Sequence, residues 1–223
     1  MISQRQSLKD LLGPLRSGGF AKREADAASP ADGVLLADGV LLADGVLLAD
    51  GSTGTALEAL APEVAAEGRI ALLPLERPEI VEALHAAYFE AGSDMVETAS
   101  FSASARDLGD PVLAYRVNLE AAKAARRAEE RICRQAGRRG LVAGSMGPGD
   151  APPSLGAASY QELKDSYIPQ ARGLADGGAD LAIVETCQDP LQIKAAIAAL
   201  KKIGKAAVRE RVYISVVPVC LKQ

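Results

Sequence analysis

Leu181-Ala182-Ile183-Val184-Glu185-Thr186 is an apolar run that stops abruptly at a carboxylate and a hydroxyl. The same pattern occurs at Val46-Leu47-Leu48-Ala49-Asp50-Gly51, at Met95-Val96-Glu97-Thr98 and at Leu141-Val142-Ala143-Gly144-Ser145. Uninterrupted apolar runs of this length fit strands covered on both faces, as in a parallel sheet, and leave the polar residues at the carboxyl ends. That is where α/β proteins carry their chemistry. A fifth candidate strand runs from Val212 to Val219.

Helical patterns fill the intervals. Arg77-Pro78 opens one with proline in its first turn, Ile80, Leu84, Ala87, Tyr88 and Ala91 make its apolar stripe, and Gly92 ends it. Val117, Ala121, Ala124, Ala125, Ala128 and Ile132 mark a second, bounded by Gly137 and Gly140. Tyr160, Leu163, Tyr167, Ala171 and Leu174 mark a third, with Pro169 expected to kink it and Gly177-Gly178 to close it. Asp189-Pro190 starts a fourth that carries Leu191, Ile193, Ala196, Ile197 and Leu200. Strand and helix alternating in this rhythm imply right-handed parallel crossovers. The fold class read from the pattern is α/β of (β/α)8 TIM-barrel type, incomplete, with about five of the eight βα units present.

Residues 1–30 read as a short N-terminal helix and a linker, with Leu8, Leu11, Leu12 and Leu15 as a weak apolar patch. Residues 31–45 are a duplicated insert: Ala-Asp-Gly-Val-Leu-Leu occurs three times unchanged from Ala31 to Leu48, and Ala49-Asp50-Gly51 begins a fourth copy. A solenoid needs longer, diverged repeats, so duplication of one strand is the better account, with the surplus copies looped out. Only the last copy leads into a helical pattern, which puts Asp50 at the native strand end and makes 46–223 the barrel region.

Composition narrows the function classes. A net charge of -4 supplies no basic face for nucleic acid. The apolar stretches are interrupted well short of the roughly 20 residues that a membrane span needs. Three scattered cysteines, Cys133, Cys187 and Cys220, with no signal-peptide pattern, fit a reducing cytoplasm.

Asp50-Gly51-Ser52-Thr53-Gly54-Thr55 is a glycine-rich turn between strand and helix, whose free N–H groups suit an anion such as an amino-acid carboxylate. It lacks the lysine of a phosphate loop, and taken alone it reads as a tight turn with a capping hydroxyl. Glu97-Thr98 and Glu185-Thr186 repeat one arrangement, and a single glutamate so placed is more often a cap or a surface ion pair. Two such pairs together with Asp50, all at strand ends, favour a site that holds an ammonium group or uses a general base. His85, the sole histidine, lies beside the apolar stripe of its helix and reads as partly buried packing. Neither Cys187 nor Cys220 has a neighbouring ligand at zinc spacing, so no metal site is assigned.

The segments LLADGSTGT, RPEIVEALHAAYFEAGSDMVETASF, VNLEAAKAAR, VAGSMGPG with PSLG, and QARGLADGGADLAIVETCQDPLQIKAAI, spread over residues 46 to about 217, resemble the homocysteine S-methyltransferase domain family. PSLG and ETCQD place the resemblance nearest the homocysteine-binding domain of the cobalamin-dependent methionine synthase branch. The resemblance implies a barrel that binds homocysteine at its mouth, zinc that holds the thiol as thiolate, and methyl transfer that gives methionine. It further implies cobalamin on another domain as methyl carrier, or else a sulfonium or betaine-type donor. By matching position, Asp50 and Gly51 form the first-strand turn, Glu185 meets the homocysteine amino group, and Thr98 and Ser145 line the mouth. The chain departs from the pattern at Ala99, where the family carries a side-chain amide, and at Thr53, where it carries methionine. The family's zinc cysteines, from a Gly-x-Asn-Cys segment and a Cys-Cys pair, have no counterpart here. The expectation is therefore an N-terminal fragment, inactive alone and without catalytic or metal residues of its own. The alternatives are an open α/β small-molecule-binding module without catalysis, or the product of a disrupted gene.

Deleting Ala31 to Leu42, two whole copies, keeps the sequence at the junction unchanged. The shortened chain is expected to show the wild-type circular dichroism spectrum and melting temperature, with higher solubility. Unfolding on deletion would show that the repeats are structural.

Overall fold

The computed structural model describes residues 48–203 and, as backbone alone, three short strands outside that range. Two of these are β1 (Val34–Leu36) and β2 (Val40–Leu42), which pair antiparallel with Val34 opposite Leu42. The first two repeat copies thus pair with each other, where the sequence suggested looped-out segments. The N-terminal helix and linker, Val46-Leu47 and Cys220 lie outside the described residues.

The remaining strands are β3 (Met95–Glu97), β4 (Leu141–Met146), β5 (Leu181–Val184) and β6 (Val212–Ile214). They form one parallel sheet in the order β3-β4-β5-β6. Ala49 makes a parallel bridge to Met95, and the Asp50 N–H donates to the Met95 carbonyl at 3.0 Å. The first expected strand is therefore reduced, among the described residues, to this bridge on the outer side of β3. Each crossover steps to the adjacent position, as in a barrel. An open binding module of doubly wound type requires the chain to reverse direction along the sheet, and the described strands do not.

The crossovers are helical, with boundaries set by local chemistry. After the glycine-rich turn come α1 (Thr53–Leu60), α2 (Pro62–Ala66) and α3 (Leu73–Glu76). Helix α4 (Pro78–Ala91) starts on its proline and ends at Gly92, whose φ of 110° is a left-handed cap that favours glycine. The short α5 (Ala105–Leu108), not evident from periodicity, is held by a capping box between Ser104 and Asp107. Asp110 caps α6 (Pro111–Glu129) by accepting from the N–H groups of Val112 and Leu113. Capping boxes also start α7 (Tyr160–Asp176), through Ser159 and Glu162, and α8 (Pro190–Lys202), through Asp189 and Gln192.

The main core lies between the helices and the outer face of the sheet, and takes in Val96, Val142, Ala182 and Val184. Helix α6 packs against α4 and α7, and α7 also packs against α8. At the α6–α7 contact two glycines let the backbones close. A Cβ at Gly173 would meet the Tyr115 carbonyl at 2.4 Å, and one at Gly177 would meet the Leu119 carbonyl at 2.6 Å. Among the described residues no helix is long and apolar enough to cross a membrane.

Because the obstacle at Gly173 is backbone, Gly173→Ala must push the two helices apart. It is expected to cost about 1–3 kcal/mol, read as a lower denaturation midpoint in urea.

Candidate functional site

The inner face of the sheet follows from strand alternation. Met95, Leu141, Ala143, Leu181 and Ile183 form a buried apolar cluster separate from the main core. Advancing two residues along each strand, the next inward positions are Glu97, Ser145 and Glu185. The apolar floor thus gives way to carboxylates and a hydroxyl at the carboxyl ends. Above it opens a cavity of about 670 Å3. Asp50, Gly51, Thr98, Ser145 and Glu185, all five residues named from sequence, line it, as do Glu58 and Glu97. None of the described lining residues is a lysine, arginine or histidine.

Asp50 ties the first strand end to the second: its Oδ2 accepts the Glu97 N–H at 3.0 Å and the Thr53 hydroxyl at 3.4 Å. Burial pushes its carboxyl up to about 7, against the opposing pull of the Glu97 N–H. Glu97 is also raised well above the usual carboxylate range, first by burial and then by the negative charges of Glu185 and Asp50. A hydrogen bond with Glu185 adds to the same upward push. Glu185 accepts the Ser145 hydroxyl at 2.5 Å.

Thr98 and Ser145 lie in a closed ring of hydrogen bonds behind the mouth. The Ser145 N–H donates to Thr98 Oγ1 at 3.0 Å, and the Ser100 hydroxyl donates to the Ser145 carbonyl at 2.8 Å. Thr98 and Ser100 are joined at 2.6 Å. With the Ser100 proton committed to the carbonyl, the Thr98 hydroxyl must be the donor to Ser100. Thr98 is 2% exposed, so its hydroxyl braces the rim and leaves ligand contact to its neighbours. Thr186, directly after Glu185, has φ 59°, a left-handed conformation rare for a β-branched residue. It turns the chain sharply between Glu185 and Cys187.

His85 is fully buried, more deeply than the sequence suggested, with neither ring nitrogen hydrogen-bonded, and burial pushes it down to about 4. Cys133 and Cys187 are buried with thiols pushed up to about 11, first by burial, and the Cys187 thiol points at the Glu185 carbonyl. Among the described residues no group of three or more histidine, cysteine or acidic side chains could hold a metal ion. The donor set described therefore does not fit the zinc that the resemblance implies.

Glu97 belongs to the site as firmly as Glu185. Its signal in the sequence was its position two residues beyond inward-facing Met95. Ser100 and Gln170, which bridge loop and strand, gave no sequence signal.

Comparison with known proteins agrees with this geometry. A family model described as homocysteine S-methyltransferase matches residues 47–220. Over 134 residues, 59% of this chain, it is 42% identical to a methionine synthase of Mycobacterium leprae and 43% identical to one of Mycobacterium tuberculosis. The chain spans 11% of the length of each of these curated relatives. Among solved structures it is similar to the homocysteine methyltransferase MmuM from Escherichia coli in its metallated form, with a TM-score of 0.64 and 27% identity. That likeness covers 76% of this chain and 62% of the other; the oxidized form of the same enzyme gives a TM-score of 0.62.

The acidic mouth gives a pH signature. The folded chain keeps a proton on Asp50 between its ordinary value of 3.8 and about 7, where the unfolded chain has released it. Stability from this group is thus lost as pH rises through that window. His85 acts in the opposite sense, losing stability as pH falls below its ordinary 6.5. Melting temperatures from pH 5 to 8 are expected to show Asp50→Asn gaining on wild type as pH rises; a constant difference would deny the raised carboxyl.

Proposed function

The chain belongs to the homocysteine S-methyltransferase family, and we propose that its acidic mouth binds homocysteine as methyl acceptor, for conversion to methionine. The observation that carries this reading is a cavity lined by Asp50, Glu58, Glu97 and Glu185 with no basic residue among its described lining. Such a pocket favours a cationic group, and the ammonium of an amino acid supplies one. In this reading Glu185, oriented by Ser145, takes the ammonium together with Glu97, and the proton that burial and neighbouring negative charge keep on Glu97 leaves as it binds. The substrate carboxylate lies at the Gly51–Thr53 turn, where the first N–H groups of α1 have no acceptor within the helix.

Methyl transfer to this substrate breaks the bond between the methyl group and its donor and forms a carbon–sulfur bond, and the thiol gives up its proton. A thiolate is the competent nucleophile. The described residues bind and orient the acceptor; the cobalamin that the resemblance implies would belong to another domain. Five consecutive strand positions, Ala49 to β6, suit the eightfold barrel of the family.

Calorimetry with L-homocysteine tests the assignment. Wild type is expected to bind with a heat that varies with the ionisation enthalpy of the buffer, because a proton is released. Glu185→Gln is expected to lose a charge-assisted bond of roughly 1.5 to 3 kcal/mol, about one to two decades in affinity. Binding unaffected by Glu185→Gln would remove Glu185 from the site.

A further inference from the structure

We infer that Gln170, on the outer helix α7, is a positioning residue of the mouth, acting on the bound ammonium through Ser145 and Glu185. The inference rests on the reading of the mouth as an amino-acid site. Gln170 is fully buried, and its Nε2 donates to the Ser100 carbonyl at 2.8 Å and to the Ser145 carbonyl at 3.4 Å. Turned over, the amide would set its oxygen against two carbonyl oxygens, so only one orientation is compatible with the site. Its Oε1 is buried without a partner. An orphaned acceptor is a cost, tolerated here for what the donor side of the amide holds in place.

The donor side holds a junction. The Ser145 carbonyl receives both Gln170 and Ser100, the Ser145 N–H goes to Thr98, and the Ser145 hydroxyl goes to Glu185. Every polar atom of Ser145 is engaged. Removing Gln170 takes a side-chain donor from the Ser100 carbonyl and the second donor from the Ser145 carbonyl, which loosens the Ser100 brace and with it the hydroxyl that orients Glu185. Glu97 faces Glu185 from the neighbouring strand end and Asp50 faces both, so among the described residues the charges acting on these groups are acidic.

The test compares Gln170→Leu with Leu163→Ala, a truncation in the buried core about two turns earlier on the same helix. Two readouts are used: L-homocysteine affinity by calorimetry, and the pH titration of the Glu97 carboxyl carbon by NMR without ligand. Gln170→Leu is expected to weaken binding about tenfold and to move the Glu97 titration to higher pH, because the negative charge of Glu185, no longer offset by the Ser145 hydroxyl, bears more fully on Glu97. Leu163→Ala is expected to lower the melting temperature while leaving both readouts unchanged. Gln170→Glu can donate only when protonated, so its affinity relative to wild type should recover at low pH and fall at high pH. A Glu97 titration unmoved by Gln170→Leu would overturn the inference whether or not homocysteine binds. Failure of wild type to bind homocysteine would overturn the substrate reading instead, with the titration still deciding the role of Gln170.

Discussion

The last two residues of β4 and the two that follow present four consecutive carbonyl groups, Ser145 to Pro148, and each must find a donor. The donors come from four parts of the fold. Ser145 is met by Ser100 and Gln170, Met146 by the N–H of Glu185, Gly147 by the Tyr167 hydroxyl and Pro148 by Gln192. The loop after β3, the end of β5, and helices α7 and α8 are therefore all registered against one short segment. Every side chain of the mouth takes its place from that registration.

Held this way, the mouth brings together charges that repel. Asp50, Glu97 and Glu185 come from three strand ends and meet over an apolar floor, where burial and mutual repulsion keep protons on carboxyl groups that water would ionise. These groups repel one another, and positive charge placed among them would offset that repulsion. The Thr53 hydroxyl on Asp50 and the Ser145 hydroxyl on Glu185 hold two of the three carboxyl groups in place. The strain in Thr186 belongs to the same arrangement, since the chain must turn immediately after Glu185 has been delivered to the mouth.

Much of this was legible in the sequence. The apolar runs ending in polar residues located β3, β4 and β5 and put Asp50, Thr98, Ser145 and Glu185 at their carboxyl ends, because strand burial and strand termination are local properties of side-chain type. Proline and glycine punctuation located α4 and α8 for the same reason. The four-residue α5 carries too few residues to show a period, although Ser104 and Asp107 spell its capping box. The surplus repeat copies, expected to loop out or remain disordered, place two identical Val-Leu-Leu triplets as an antiparallel pair apart from the parallel sheet.

What the sequence determined by itself was the alternation of elements, the chemistry at the strand ends and, by resemblance, the family. The tertiary structure alone decided which carboxyl groups are raised and which hydroxyls are spent on bracing. Thr98 and Glu97 are neighbours at one strand end and both line the cavity, yet the Thr98 hydroxyl is engaged by Ser100 and Ser145 while the Glu97 carboxyl meets other carboxyl groups. Gln170 reaches a carbonyl 70 residues away in the chain, a contact that no local pattern encodes. Charge repulsion and donor matching depend on distances of a few ångströms between strand ends, and those distances exist only once the helices have closed on the sheet.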